Sequence, residues 1–356
     1  MEQSRLIKRL LIGLELLLMI FTLGVISCED NGVSPPDDPA VAYRVWFWEG
    51  NRDGMYYNFT PESGAIDSLL IPEILPVNCF SVSADGKRLY MEQSATTAIV
   101  STETGEIVYQ LPYRASLGYA VVESPLGDVM VAQCTDGLRL VDATSYDLLF
   151  EDSSLVVWDS WYSADGARLY ASGTRDGVGG VFRLETDNFS IAETPFADAS
   201  IYRMRPSPDE TTWYLLKGFA THRTFEVYDV ASGTVTYSHT LLGGRGEIEI
   251  TPDGQYLFIS EAGVANDGIA PSHFLVYNTV ESSLDTISTI GCMDGTNPTY
   301  MPIDEMAVTP EGKWLVAGEG IMGDSFLRLN ISSMEIDSYY QFPKGGITTY
   351  ACQIAK

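Results

Sequence analysis

An all-β fold of many short antiparallel strands is what this sequence predicts, on three observations. Aromatic residues make up 11% of the 356 residues, with 20 Tyr and 6 Trp, and such side chains pack well on a pleated surface. Turn formers are plentiful, with 32 Gly and 17 Pro, while only 19% of residues are charged and helix-type Leu/Ala/Glu/Lys runs are few. Apolar and polar residues also alternate in short stretches broken by Asp-Gly turns, the period-2 signature of half-buried strands. A hydrophobic content of 45% is ample for a large core and excludes disorder and collagen.

At the N-terminus, Arg5, Lys8 and Arg9 precede an apolar run from Leu10 to Ser27, the order that export machinery reads as a signal peptide. The run closes with Val25, Ile26, Ser27 and Cys28. That ending resembles the lipobox of bacterial lipoproteins, in which the cysteine receives a diacylglycerol. The resemblance implies a signal peptide over residues 1–27, lipidation of Cys28 and a body outside the cytoplasm. Glu15 inside the apolar run departs from the pattern, and an uncleaved anchor and plain secretion are the other readings. The lipoprotein and the anchor readings both tether the chain to a membrane.

Residues 28–42 are rich in Pro and Asp, cannot pack, and serve as an extended spacer. Without residues 1–27 the chain keeps 18 basic against 46 acidic side chains, a net charge of -28. That charge repels phosphate backbones and excludes nucleic acid as a partner. It also repels anionic lipid, which leaves the acyl chains as the sole anchor.

From residue 43 to 356 one phrase recurs: an alternating strand, Ser or Thr, a small residue or Pro, an acid, Gly, and a second strand. Six copies run from Phe80 to Met91, Val121 to Val131, Ser160 to Ala171, Met204 to Leu215, Ile248 to Ile259 and Met306 to Ala317, those at Val121 and Met204 being imperfect at the turn. Each is a hairpin, because Pro-Asp-Gly or Ala-Asp-Gly supplies the turn residues and, at Gly, the positive φ. Between them lies a second hairpin phrase, found seven times, with turns at 60–64, 102–105, 142–146, 185–188, 229–233, 278–282 and 330–333. Two hairpins per period give four antiparallel strands, and a unit that small buries both faces only by stacking on its neighbours around an axis.

The sequence thus predicts a seven-bladed β-propeller of four-stranded antiparallel blades. At its head, strands at 43–48, 55–59 and 65–70 have no preceding inner strand. At its tail, 347–354 is one strand without a partner, and it completes the head blade. Residues 43–356 then divide into seven blades of roughly 45 residues, the size of a four-stranded propeller repeat, and closure removes the sheet edges.

The hairpin phrase, followed by a strand such as Phe274–Asn278 or Phe225–Val230, resembles the YVTN-type propeller repeat of bacterial surface and periplasmic proteins. The resemblance implies a cell-envelope location and a binding or scaffold role for a protein, peptide or glycan. More distant relatives imply a lactonase-like or quinoprotein-like periplasmic enzyme as the alternative.

Candidate chemistry is sparse. Aligning the innermost strands on their turns places Asp159, Arg203, Glu247 and Glu305 in one column, with Arg205 and Glu249 together two residues later. Acid, arginine and acid from successive blades then adjoin near the axis, either as ion pairs tying blades together or as a channel-mouth site for a polar or cationic ligand. The longest loops are expected at 261–272 with Asp267, 290–303 with Asp294, and 173–180 with Asp176, on the face where propellers usually meet ligands. Oxygen-rich loops suit Ca²⁺, although none carries the spaced ligand loop with its terminal Glu, so no cofactor is expected. His222 and His273, placed in second-to-third-strand loops, are candidates for a metal ligand or general base. Cys79, Cys134, Cys292 and Cys352 are too few for a disulfide framework. One Cys79–Cys352 bridge across the closure, or buried free thiols, are both open. No catalytic motif is present, so the sequence favours a non-catalytic, lipid-anchored binding propeller.

Overall fold

The computed structural model describes residues 44–49, 55–71, 80–93, 95–115, 121–134, 136–193, 201–218, 223–241, 246–260, 273–289, 303–319, 325–341 and 349–355. They form seven four-stranded antiparallel sheets, and each strand pairs with its neighbour in sequence except at one place. There the C-terminal strand Thr349–Ala355 pairs with Arg44–Glu49 and becomes the innermost strand of a blade completed by Met55–Thr60 and Ala65–Leu70. The fold is the seven-bladed propeller predicted, closed by the shared blade. We number this blade 1 and the others in chain order; in each, strand A is innermost and strand D outermost. The signal peptide and linker expected over 1–42, with Cys28, lie outside the described residues.

Hydrophobic packing shows how the ring holds. Buried side chains gather into seven clusters, each shared by two adjacent blades. Because consecutive strand residues point to opposite faces, Leu215 of blade 5 packs toward blade 4 while Tyr214 and Leu216 pack toward blade 6. At the closure, Phe47 of blade 1 stacks on Phe326 of blade 7 with ring centroids 4.4 Å apart. Every blade therefore buries both of its faces, and none is stable as a separate unit.

Both hairpin phrases are braced by their own side chains. In the A–B turn of blade 4, the Ser163 hydroxyl donates to Asp165 Oδ1 (2.6 Å), the Ala167 amide donates to the same carboxylate (3.0 Å), and the Arg168 amide donates to Ser163 Oγ (2.9 Å). Blades 2, 5 and 6 repeat the brace with Ser83–Asp85, Ser207–Asp209 and Thr251–Asp253, each 2.6 Å. These bonds hold the Asp85, Asp165 and Asp209 carboxyls below the usual carboxylate range. The C–D turns are tied to the A–B turns, as where the Thr186 hydroxyl and amide donate to the carbonyls of Gly166 and Ala167 (2.8 and 2.9 Å).

One expected loop is corrected. Residues 173–180 are part of two eight-residue strands, Arg168–Arg175 and Val178–Glu185, joined by a two-residue turn at Asp176 and Gly177. Both turn residues have positive φ (51° and 79°), the backbone twist that matches paired strands. His273 is likewise no loop residue: it is the first residue of strand C of blade 6, half-buried and opposite Ser288. The expected loop residues His222, Asp267 and Asp294, and the cysteines 79 and 292, lie outside the described residues. Cys134 is a buried free thiol.

Candidate axial site

A repeated irregularity aims the axial side chains. In blades 4, 5 and 7 the innermost strand carries one extra residue, Trp158, Tyr202 or Asp304, just before Asp159, Arg203 or Glu305. Such bulges bend a strand and re-aim the next side chain. The following residues face one column of strand B, with Asp159 opposite Ser172, Arg203 opposite Leu216 and Glu305 opposite Gly318. The Ser260 amide donates to the Glu247 carbonyl (2.9 Å) in the equivalent place. In blade 4 the bulge brings Val156 O within 2.0 Å of where a β-carbon on Gly173 would lie, so only glycine fits there.

The structure brings together Asp159, Arg203 and Glu247 of the predicted column with Arg205 and Glu249. Arg205, 1% exposed, is the hub: its Nη1 donates to Asp159 Oδ2 (3.0 Å) and to the Met204 carbonyl (2.8 Å), and its Nη2 donates to Glu249 Oε1 (2.9 Å) and lies 3.6 Å from Glu247 Oε1. Arg203 Nε reaches Glu247 Oε2 (3.2 Å), and its Nη1 donates to the Trp158 carbonyl (3.2 Å). Asp159 is fully buried and also accepts the Met204 amide (3.0 Å). Blades 4, 5 and 6 are thus tied by two guanidiniums and three carboxylates, and burial pushes the Glu249 carboxyl up to about 7 against the opposing charge and hydrogen bond of Arg205. Glu305 stands on strand A of blade 7, and its side chain lies outside the described residues.

Beyond this network lies a cavity of about 330 Å³ at the axial end that carries the A–B turns. It is built by blades 3 to 6, with Trp161, Ile250 and the prolines 125, 206, 208 and 252 in its walls and Glu123 and Glu210 among its polar groups. This is the opposite face from the expected functional loops, since the turns here join strands A and B. Trp161 links cavity and network, for the Arg205 guanidinium lies 4.5 Å from its indole, a favourable cation–π distance. The turns interlock around the axis: Pro208 Cδ would lie 2.7 Å from a β-carbon on Gly254, and Pro252 Cδ 3.4 Å from one on Gly312.

Glu210 was missed by the motif reading, although its place in the repeat gave the signal. It occupies the turn position held by Gly in the other copies, and it keeps the left-handed backbone, with φ of 58°. A non-glycine residue there is strained. Its carboxylate compensates by accepting the Tyr170 hydroxyl and pairing with Arg168 Nη1 (2.8 Å), which bolts blade 5 to blade 4. Glu123 does the same between blades 3 and 2, pairing with Arg88 (2.8 Å) and accepting the Ala84 amide (2.6 Å), while burial raises its carboxyl. Trp161 shares the column of Arg205 and Glu249, two residues after Asp159, and that register would have found it.

No family model matches the chain, and no curated protein matches it. Among solved structures it is similar to hydrazine synthase of Kuenenia stuttgartiensis, with a TM-score of 0.59 and 18% identity over 72% of this chain and 77% of that one. It is similar to a putative 6-phosphogluconolactonase of Bacteroides fragilis, with a TM-score of 0.61 and 14% identity over 88% of this chain and 98% of the other. A dihydro-heme d1 dehydrogenase has a TM-score of 0.57 and 11% identity over 86% of this chain and 74% of that chain. At such identities the likeness is one of fold: the chain is a seven-bladed β-propeller whose structural neighbours include lactonase-like and dehydrogenase-like enzymes.

Proposed function

We propose that this chain is a lipid-anchored cell-envelope propeller of YVTN type that acts as a binding module, receiving a segment of a partner protein at the axial cavity. One observation carries the reading: Asp159, Arg203, Arg205, Glu247 and Glu249 are engaged with one another across blades, while the cavity beside them is walled by Trp161 and prolines. Arg205 has its charge matched on several sides and stiffens the wall instead of meeting a substrate. Function sited on a rigid scaffold in this way rests on the local chemistry and not on the fold. The lipobox-like run ending at Cys28 and the 28–42 spacer support the membrane-tethered reading.

The test is site-directed photo-crosslinking in the envelope fraction, with the probe at Ala164 beside the cavity and a control at Val280 on an outer turn. A discrete adduct from Ala164, absent from Val280 and lost on Trp161→Ala, is the expected result. Labelling by palmitate that disappears on Cys28→Ser checks the anchor. The lactonase-like names of two structural neighbours favour the alternative reading of hydrolysis. Turnover of 6-phosphogluconolactone by the purified domain, lost on Glu247→Gln, would replace the binding reading with that one.

A further inference from the structure

We propose that the axial cavity recognises a peptide segment in which one large apolar side chain is flanked by Lys or Arg. The proposal rests on the binding-module reading and deepens it. At about 330 Å³ the cavity stands at the low end of ligand sites, which span roughly 300–1,000 Å³. It suits a single side chain and not an extended cofactor.

The walls decide the apolar character. Ser163 and Ser207 are spent on their turn braces, Glu123 on Arg88 and the Ala84 amide, and Glu210 on Arg168 and Tyr170. A sugar placed there would surrender water from its hydroxyls with few partners in exchange, an unfavourable transfer. An aromatic or branched side chain meets Trp161 and the proline rings without that penalty.

Charge decides the flanks. The strand ends and turns around the cavity, 122–128, 161–168, 205–210 and 249–254, carry seven carboxylates against two guanidiniums. Arg88, which reaches Glu123 from blade 2, adds a third cation and leaves the excess negative. A mouth of one sign with low-dielectric walls concentrates the opposite charge, so a basic segment is drawn in and an acidic one repelled. The buried arginine beneath Trp161 does not reverse this, because Asp159, Glu247 and Glu249 surround it.

Calorimetric titration of the full chain with three capped tripeptides, Lys-Phe-Lys, Glu-Phe-Glu and Lys-Ala-Lys, tests the proposal. Lys-Phe-Lys is expected to bind at least tenfold more tightly than either of the others, and to weaken between 50 and 500 mM salt. Trp161→Ala should abolish the difference between the Phe and Ala peptides. Should that variant fold poorly, Ala164→Arg, at an exposed position beside the cavity, should weaken Lys-Phe-Lys tenfold and leave the folded spectrum unchanged. Equal binding of Glu-Phe-Glu would overturn the basic class while leaving a binding cavity. Equal binding of Lys-Ala-Lys would reduce the effect to charge alone and overturn the anchor. Absence of binding by all three would overturn the proposal, and the crosslinking result then decides separately whether the module reading stands.

Discussion

Replacing Glu249 by Gln should make the protein more stable at alkaline pH, and the structure gives the size of the gain. Glu249 is 14% exposed at its side chain and lies against Arg205 in a network holding two guanidiniums and three carboxylates. When all ionise, the network carries an uncompensated negative charge away from water. Burial, with the neighbouring charges of Glu247 and Asp159 adding to it, pushes its carboxyl from the ordinary 4.5 up to about 7 against the opposing pull of Arg205. The folded state then holds a proton between pH 4.5 and 7 that the unfolded chain has released, so this group's contribution is intact below 4.5 and is lost as pH rises through 7. At ~1.4 kcal/mol per pH unit, the loss is about 3 kcal/mol. Gln matches the protonated acid in shape and keeps an oxygen for Arg205, so the variant should equal the wild type at pH 4.5 and exceed it by about 3 kcal/mol at pH 8. Urea unfolding followed by tryptophan fluorescence across that range reads the difference as a shift in midpoint at constant slope. Parallel profiles, or a variant that is weaker at pH 8, would refute the account of Glu249 as an acid whose burial disfavours its charge.

Two further outcomes follow from the same geometry. Arg205→Met strands Asp159, Glu247 and Glu249 around a neutral side chain and should cost about 3–5 kcal/mol at pH 7, with part of the loss recovered in acid as Glu249 protonates; full stability at pH 7 in denaturant titration would contradict the role of hub. In the C–D turns, the left-handed residues Ser282 (φ 52°) and Phe189 (φ 56°) should respond oppositely to glycine. Exposed Ser282→Gly relieves backbone strain and should raise stability by about 0.5 kcal/mol net of the added unfolded-state entropy. Phe189→Gly removes the ring stacked on Phe150 at 5.8 Å and should lower stability by at least 1 kcal/mol, both read as shifts in Tm.

The fold was legible because the repeat writes its instructions locally. Each Ser/Thr-x-Asp-Gly turn contains the donor, acceptor and positive-φ residue that brace it, so the hairpins at 163–168 and 251–256 could be read without knowing their neighbours. The shared blade was legible too, since a tail strand lacking a hairpin has one place to pair. The sequence alignment brings Asp159, Arg203 and Glu247 into one column because the Ser/Thr-x-Asp brace of each turn fixes the register of the strand before it. The cavity was not legible: its walls come from four blades, and the prolines that form them look like ordinary turn residues in sequence. The loop expected over 173–180 is too long because Gly173, Gly177, Gly179 and Gly180 read as loop, whereas Gly173 is required by the close approach of Val156 inside a strand pair.

The departures from the repeat are not scattered, and that bears on function. Blades 3 to 6 share the cavity, and within them Glu210 takes the place of a turn glycine, Leu126 that of a turn acid, and Arg203 stands in the column of Asp159 and Glu247. Closure alone does not require a strained Glu210 or a desolvated Arg205, since an apolar pairing of similar volume often stabilises as well or better. Local rules tend to be broken where a protein does something besides fold. Blade 2 keeps the regular turn, with Gly86 at the left-handed position and the Ser83–Asp85 brace intact, and among the described residues it contributes none to the cavity wall. If the irregularities served ring stability alone, reverting Glu210 to the repeat's Gly should weaken the blade 4–5 contact without touching ligand affinity. If they shape the cavity, that change should also lower affinity for the Lys-Phe-Lys probe, because the carboxylate at its edge disappears with the strain.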